Sequence, residues 1–167
     1  MTGDPARASL LRELEAFYRR EVLLLQDRRY GEWLQTMDSA VSYRVPVTTS
    51  TLDGLVTRED ELGYYDEDFT LLKARVAKLE SKMSWVEHPP SRLRYFVQVV
   101  DARHEEDGVI VARSNLLLLQ YRWNMEQQFS GERTDTLVAL DDDFRIRSRR
   151  VVLDRQAVGK QGLSVFF

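Results

Sequence analysis

Apolar residues early in the chain recur at helical spacing. Leu10, Leu11, Leu14, Phe17, Tyr18, Leu24 and Leu25 form one stripe, and the polar back carries Glu15 and Arg19 four residues apart. Asp4-Pro5 sets a capping carboxylate before a first-turn proline, which predicts where this helix begins. A second, short helix is predicted over Arg28–Met37, with Trp33, Leu34 and Met37 turned inward. The period then drops to two. Val41, Tyr43, Val45 and Val47 alternate with Ser42, Arg44, Pro46 and Thr48, the pattern of a strand with one buried face. Pro46 cannot donate to a ladder, so the strand is expected at an edge or with that side outward.

Thr48–Tyr65 reads as a long polar connection through Asp53-Gly54, and loops of this length are unusual in compact domains, where they often serve binding or disorder. A further helix is predicted from Asp66 or Asp68, with Phe69, Leu72, Val76, Leu79 and Met83 on its inner face and acidic residues suiting its dipole. The segment from Trp85 through His88 to Ser91 ends it, because Pro89 and Pro90 cannot continue a helix. Everything beyond is strand-like. Leu93, Tyr95, Val97 and Val99 alternate with Arg94, Phe96, Gln98 and Val100, so both faces are expected to be covered. A turn at Glu105–Gly108 leads to strands over 109–121, 127–140 and 144–153, with Ser130-Gly131 a plausible bulge or kink. Helices followed by four long meandering strands predict an α+β domain, in which a curved antiparallel sheet wraps around the N-terminal helices.

The length fits a single domain spanning residues 1–167. With 24 basic against 27 acidic residues there is no basic excess, which argues against nucleic acid as a partner. No stretch approaches a membrane span, and the polar start lacks the apolar segment of a secretory signal. The absence of cysteine excludes disulfides and thiolate clusters and fits a cytoplasmic protein.

Candidate chemistry is sparse. His88 and His104 are the two histidines, and neither has a partner at ligand spacing, so a Rieske cluster or a facial-triad iron has no ligand set in this chain. No nucleophile elbow, phosphate loop or dinucleotide fingerprint occurs. Tyr43, Asp38, Asp101 and Tyr121 are candidates for acid–base work inside an enclosed pocket. Tyr64, Tyr65, Asp66 and Asp68 combine aromatics with carboxylates. As parts of the fold, the acids cap the next helix while the tyrosines staple it to the sheet. Arg92, Arg94, Arg145, Arg147, Arg149 and Arg150 read as a solvated row or as interface arginines. Phe166 and Phe167 need packing, in the chain's own sheet or under a partner.

Several of these segments, taken together and in order, resemble the small (beta) subunit of bacterial aromatic-ring-hydroxylating dioxygenases. They are Tyr65-Asp66-Glu67-Asp68 before a helix carrying Leu72 and Arg75, Trp85 with Pro89 to Arg94, Phe129-x-Gly131-x-Arg133-x-Asp135, Arg149-x-Val151-x-Leu153-Asp154, and Leu163-Ser164-x-Phe166-Phe167. Two departures are Tyr95, where a histidine is common, and Arg155, where glutamine or another polar residue is expected. The resemblance implies a cystatin-like, NTF2-like fold and a non-catalytic, structural role. It also implies a partner alpha subunit holding a Rieske [2Fe-2S] cluster and mononuclear non-haem iron, in a trimer of alpha-beta heterodimers that also brings beta subunits together. Electrons would come from a reductase, often through a ferredoxin, for cis-dihydroxylation of an aromatic compound in catabolism. Contact candidates are Tyr64, Tyr65, Asp66, Asp68, Trp85, His88, Arg92, Arg94, Phe166 and Phe167. The alternatives are a free-standing isomerase or dehydratase of the same fold, or a small-ligand-binding protein.

Overall fold

Asp4 opens the first helix as its sequence predicts, its carboxylate accepting the N–H of Ala6 at 3.0 Å with Pro5 in the first turn. This computed structural model describes residues 4–58, 63–81, 89–155 and 163–167, so the expected inner-face Met83 and the contact candidates Trp85 and His88 lie outside the described residues. Helix α1 (Pro5–Gln26) buries Leu10, Leu14, Phe17, Tyr18 and Leu25, together with one acid, Glu21. Helix α2 (Tyr30–Leu34) is shorter than its predicted span, because Met37 already belongs to strand β1 (Met37–Val45).

The expected long connection contains a hairpin, β2 (Val47–Thr51) with β3 (Gly54–Arg58), paired from Val47–Arg58 to Thr51–Gly54. Asp53-Gly54 is thus a hairpin signal, with Gly54 at φ 123°. Strand β4 (Tyr65–Glu67) and helix α3 (Phe69–Glu80) follow. Asp68 caps α3 by accepting the Leu71 N–H at 2.9 Å, and Leu72 and Val76 face inward.

Strands β5 (Arg92–His104), β6 (Val109–Arg122), β7 (Met125–Leu140) and β8 (Asp143–Leu153) form the predicted meander. The six-stranded sheet runs β4-β1-β8-β7-β6-β5. Its β1–β8 pair is parallel, so the sheet is mixed where alternation alone suggested a wholly antiparallel one. β1 is an inner strand, not an edge. Pro46 falls just past its last paired residue, Val45, and so removes no ladder hydrogen bond.

The bends lie elsewhere than at Ser130-Gly131, which pairs regularly with Leu117 and Leu116. One extra residue, Val100, interrupts β5, and another, Arg147, interrupts β8. Gly131 is instead a close approach, since a Cβ there would sit 2.3 Å from the Val152 carbonyl oxygen. The sheet curls over α1 and α2 and encloses the core. The outer side of β5 is open in this chain, with Phe96 57% and Val100 43% exposed, against the expectation of cover on both faces.

Candidate functional site

The cone's interior is the natural place to look for a pocket, and the chain fills it with its own tail. Val165, Phe166 and Phe167 are fully enclosed. Phe166 stacks on Trp33 at 4.3 Å between ring centres and meets Tyr30 and Tyr43 edge-on. Tyrosine hydroxyls from three strands grip the tail backbone. Tyr65 donates to the Val165 carbonyl at 2.5 Å, Tyr95 to that of Phe166 at 2.7 Å, and Tyr43 to that of Phe167 at 2.9 Å. The Phe167 N–H in turn donates to the Tyr43 oxygen at 2.7 Å. Burial pushes all three hydroxyls above the usual tyrosine range, which suits donors that never ionise.

Beside the tail lies a buried charge cluster built from three elements. Arg149 of β8 donates through Nε to Asp135 Oδ1 and through Nη2 to Oδ2, both at 2.8 Å. It also reaches Glu21 of α1 at 2.5 and 3.1 Å, and the Phe167 carbonyl at 3.0 Å. Trp33 donates its indole N–H to Glu21 at 3.0 Å. Arg133 of β7 completes the group, 3.3 Å from Glu21 and 3.6 Å from Asp135, with its guanidinium over the Tyr18 ring at 4.6 Å. Burial alone would raise both carboxyls. The Arg149 charge, then that of Arg133, outweighs it and holds Glu21 and Asp135 below the usual carboxylate range. Arg149, which burial would disfavour as a cation, is held charged by Asp135 and Glu21. Two cations and two anions therefore neutralise one another, and neither acid is poised to take or give a proton near neutral pH.

The acid–base candidates do not come together. Tyr43 holds the tail, Asp38 accepts the Ala40 N–H at 2.8 Å, Asp101 pairs with Arg7 at 2.6 Å, and Tyr121 reaches Glu126 at 3.5 Å. His104 is exposed at the end of β5. Among the described residues no group of three or more His, Cys, Asp or Glu is placed to hold a metal ion, so neither a Rieske cluster nor an iron finds ligands there. An open groove of about 760 Å³ runs between α1 and β5, walled by Glu15, Tyr18, Val22, Tyr95, Val97 and Leu116, without a nucleophile–base pair in it.

The residues singled out as contact candidates divide by burial. Tyr64 is half-buried, and Asp66, Asp68, Arg92 and Arg94 are exposed. Asp66 lies 3.4 Å from Arg44, and Asp68 serves the helix cap. Tyr65, Phe166 and Phe167 are enclosed by the chain itself. Tyr65 also carries the Arg75 guanidinium at 4.3 Å over its ring, while Arg75 pairs with Glu67. Staple and cap are thus what this segment does within the fold.

Sequence reasoning missed Glu21 and misread Arg149. Glu21 stands four residues after Phe17 and seven after Leu14, in phase with the apolar stripe, and that phase was its signal. Arg149 stands in a row that reads as solvated or as interface arginines, and the bulge at Arg147 turns it inward instead.

The chain matches the family described as ring hydroxylating beta subunit over residues 20–160. It is 33% identical over 177 residues to benzene 1,2-dioxygenase subunit beta of Pseudomonas putida, covering 98% of this chain and 91% of that one. Biphenyl 2,3-dioxygenase subunit beta of Rhodococcus jostii is 31% identical over 175 residues, with the same coverage of 98% and 91%. Among solved structures, naphthalene 1,2-dioxygenase with indole bound in the active site superposes with a TM-score of 0.82 at 22% identity, over 99% of this chain and 88% of that one. The beta subunit of benzoate 1,2-dioxygenase from Burkholderia mallei gives 0.73 at 21% identity, over 92% and 97%. At such identities the two superpositions speak to the fold, the cystatin-like, NTF2-like one expected.

Proposed function

The chain belongs to the ring hydroxylating beta subunit family, and we propose that it serves as the structural, non-catalytic subunit of the terminal oxygenase of an aromatic-ring-hydroxylating dioxygenase. One observation carries the non-catalytic part. The space in which a domain of this shape would hold a substrate is occupied by Val165–Phe167, and the acids beside it are locked to Arg149.

In this reading the reacting groups belong to a larger alpha subunit with a Rieske cluster and a mononuclear iron. That subunit is supplied with electrons by a reductase, through a ferredoxin or directly, in the cytoplasm. Three alpha-beta heterodimers would assemble, and the substrate would be an aromatic compound. Exposed Asp66, Asp68, Arg92 and Arg94 and half-buried Tyr64 are the proposed direct contacts, with Trp85 and His88 alongside them in the chain. Tyr65, Phe166 and Phe167 would support assembly from inside, by setting the shape of the cone.

Native mass spectrometry of the tagged chain purified from its own host tests this. The expected result is a larger iron-containing chain bound one-to-one in a symmetric multimer. A lone monomer or homodimer would overturn it in favour of a free-standing pocket enzyme or binding protein.

A further inference from the structure

The two ends of the sheet differ in chemistry. The strand directions put the β5–β6 and β7–β8 turns at one end. The β6–β7 turn, the start of β5 and the β2–β3 hairpin that follows β1 lie at the other. The first end is acidic, exposing Glu105, Glu106, Asp107, Asp141 and Asp142. The second exposes large apolar side chains, with Asp53 and Glu126 beside them. Trp123 is 76% and Met125 50% exposed on the β6–β7 hairpin, and Leu52, Leu55 and Val56 are 107%, 43% and 48% exposed on the β2–β3 hairpin. Trp123 is the largest of them, and an aromatic side chain can bury roughly 150–250 Å² in a contact.

Trp123 is also in the wrong conformation for its type. Arg122 pairs with Met125, so Trp123 opens a two-residue turn, and it does so at φ 53°, a region that favours glycine. A bulky aromatic held there and left in water is unfavourable to the isolated chain twice over. Backbone outliers of this kind cluster at functional surfaces.

We propose that this apolar end is the face on which the larger, iron-bearing subunit docks, with Trp123 as its anchor. The inference rests on the structural-subunit reading above and adds a surface to it. Three observations favour that occupant. An exposed tryptophan is the kind of side chain that anchors an interface. The proposed contacts Arg92 and Arg94 start the strand beside the tip, since Arg92 pairs with Tyr121. The far end gathers Glu105, Glu106, Asp107, Asp141 and Asp142, whereas here Asp53 and Glu126 stand with Arg92 and Arg94 around the apolar side chains, a rim of both signs about an apolar centre.

The test uses the tagged full-length chain in its own host, with Trp123→Gly, Leu52→Asp and, as control, Asp141→Gly. Asp141 opens the equivalent two-residue turn at the acidic end, at φ 52°. Trp123→Gly should leave the thermal midpoint of the isolated chain unchanged or raised, while reducing the larger subunit recovered at least tenfold. Leu52→Asp should also reduce it, and Asp141→Gly should not. Full recovery with both Trp123→Gly and Leu52→Asp would overturn the proposal, as would loss only of contacts between copies of this chain with the larger subunit retained. If the unmodified chain recovers no iron-bearing partner at all, the structural-subunit reading fails instead.

Discussion

Arg149 and Asp135, on neighbouring strands, meet fork to fork, with both hydrogen bonds at 2.8 Å in a site closed to water. The same guanidinium also binds Glu21, so one side chain is hydrogen-bonded to two buried acids. Arg149→Met would strand both. Removing one partner of a buried ion pair costs about 3–5 kcal/mol. Urea unfolding of the isolated chain should show a loss of that size. A midpoint within error of the wild type would mean that Arg133 alone satisfies the acids.

The same cluster fixes an acid sensitivity. Glu21 and Asp135 have folded pKa values held below their unfolded ones, against the push of burial, by Arg149 and Arg133. A depressed carboxylate stabilises the fold fully above the usual carboxylate range, and that contribution drains away as pH falls through the unfolded and then the folded value. Thermal midpoints recorded from pH 7 down to pH 3 should be level at first and then drop. A flat profile over that whole interval would show that the pairing contributes nothing.

Phe166 is surrounded by the rings of Trp33, Tyr30, Tyr43 and Tyr65. Phe166→Ala opens a cavity that rigid aromatics cannot close, with an expected loss of about 3–5 kcal/mol. Deleting Phe166 and Phe167 together should do more, because the hydroxyls of Tyr95 and Tyr43 lose their acceptors as well. Circular dichroism melts of the isolated chain would reveal both effects. A truncated chain that melts like the wild type but no longer assembles would instead make the tail a contact surface.

At Gly131 the limit is space. A methyl group there would meet the Val152 carbonyl oxygen at 2.3 Å, between strands that pair through Gly131 and Leu153. Gly131→Ala should force β7 and β8 apart locally, at about 1–3 kcal/mol. Hydrogen exchange should quicken at the Asp154 amide, which donates to the Ser130 carbonyl at 2.9 Å. Unchanged protection there would show that the strands yield without parting.

The meander and both long helices were legible because each period runs for many residues, bulged or not. Phe129, Gly131, Arg133, Asp135 and Leu137 alternate strictly, so even the buried charges of β7 stood in an inward phase. Charge argued the other way and hid them. Arg149 was illegible for a different reason. A bulge adds one residue and reverses every later side chain, and nothing in the residue types around Arg147 announces it. The β2–β3 hairpin went unread because Val47–Arg58 is short and polar, with little alternation to weigh against a loop. The parallel β1–β8 pair could not be read locally, since it joins segments from opposite ends of the chain.

That pair also sets a timetable. The β5–β8 meander can zip from its own turns, each strand finding a neighbour a few residues away. β1 has no such helper. Met37 must wait for Ile146, and Tyr43 for Arg149, with roughly two-thirds of the sequence between them. Closing so large a loop is entropically slow, and until it happens the inner faces of α1 and the meander stay wet together. The vulnerable moment for this chain is therefore late in folding, when most of its strands are formed and the core is still unsealed.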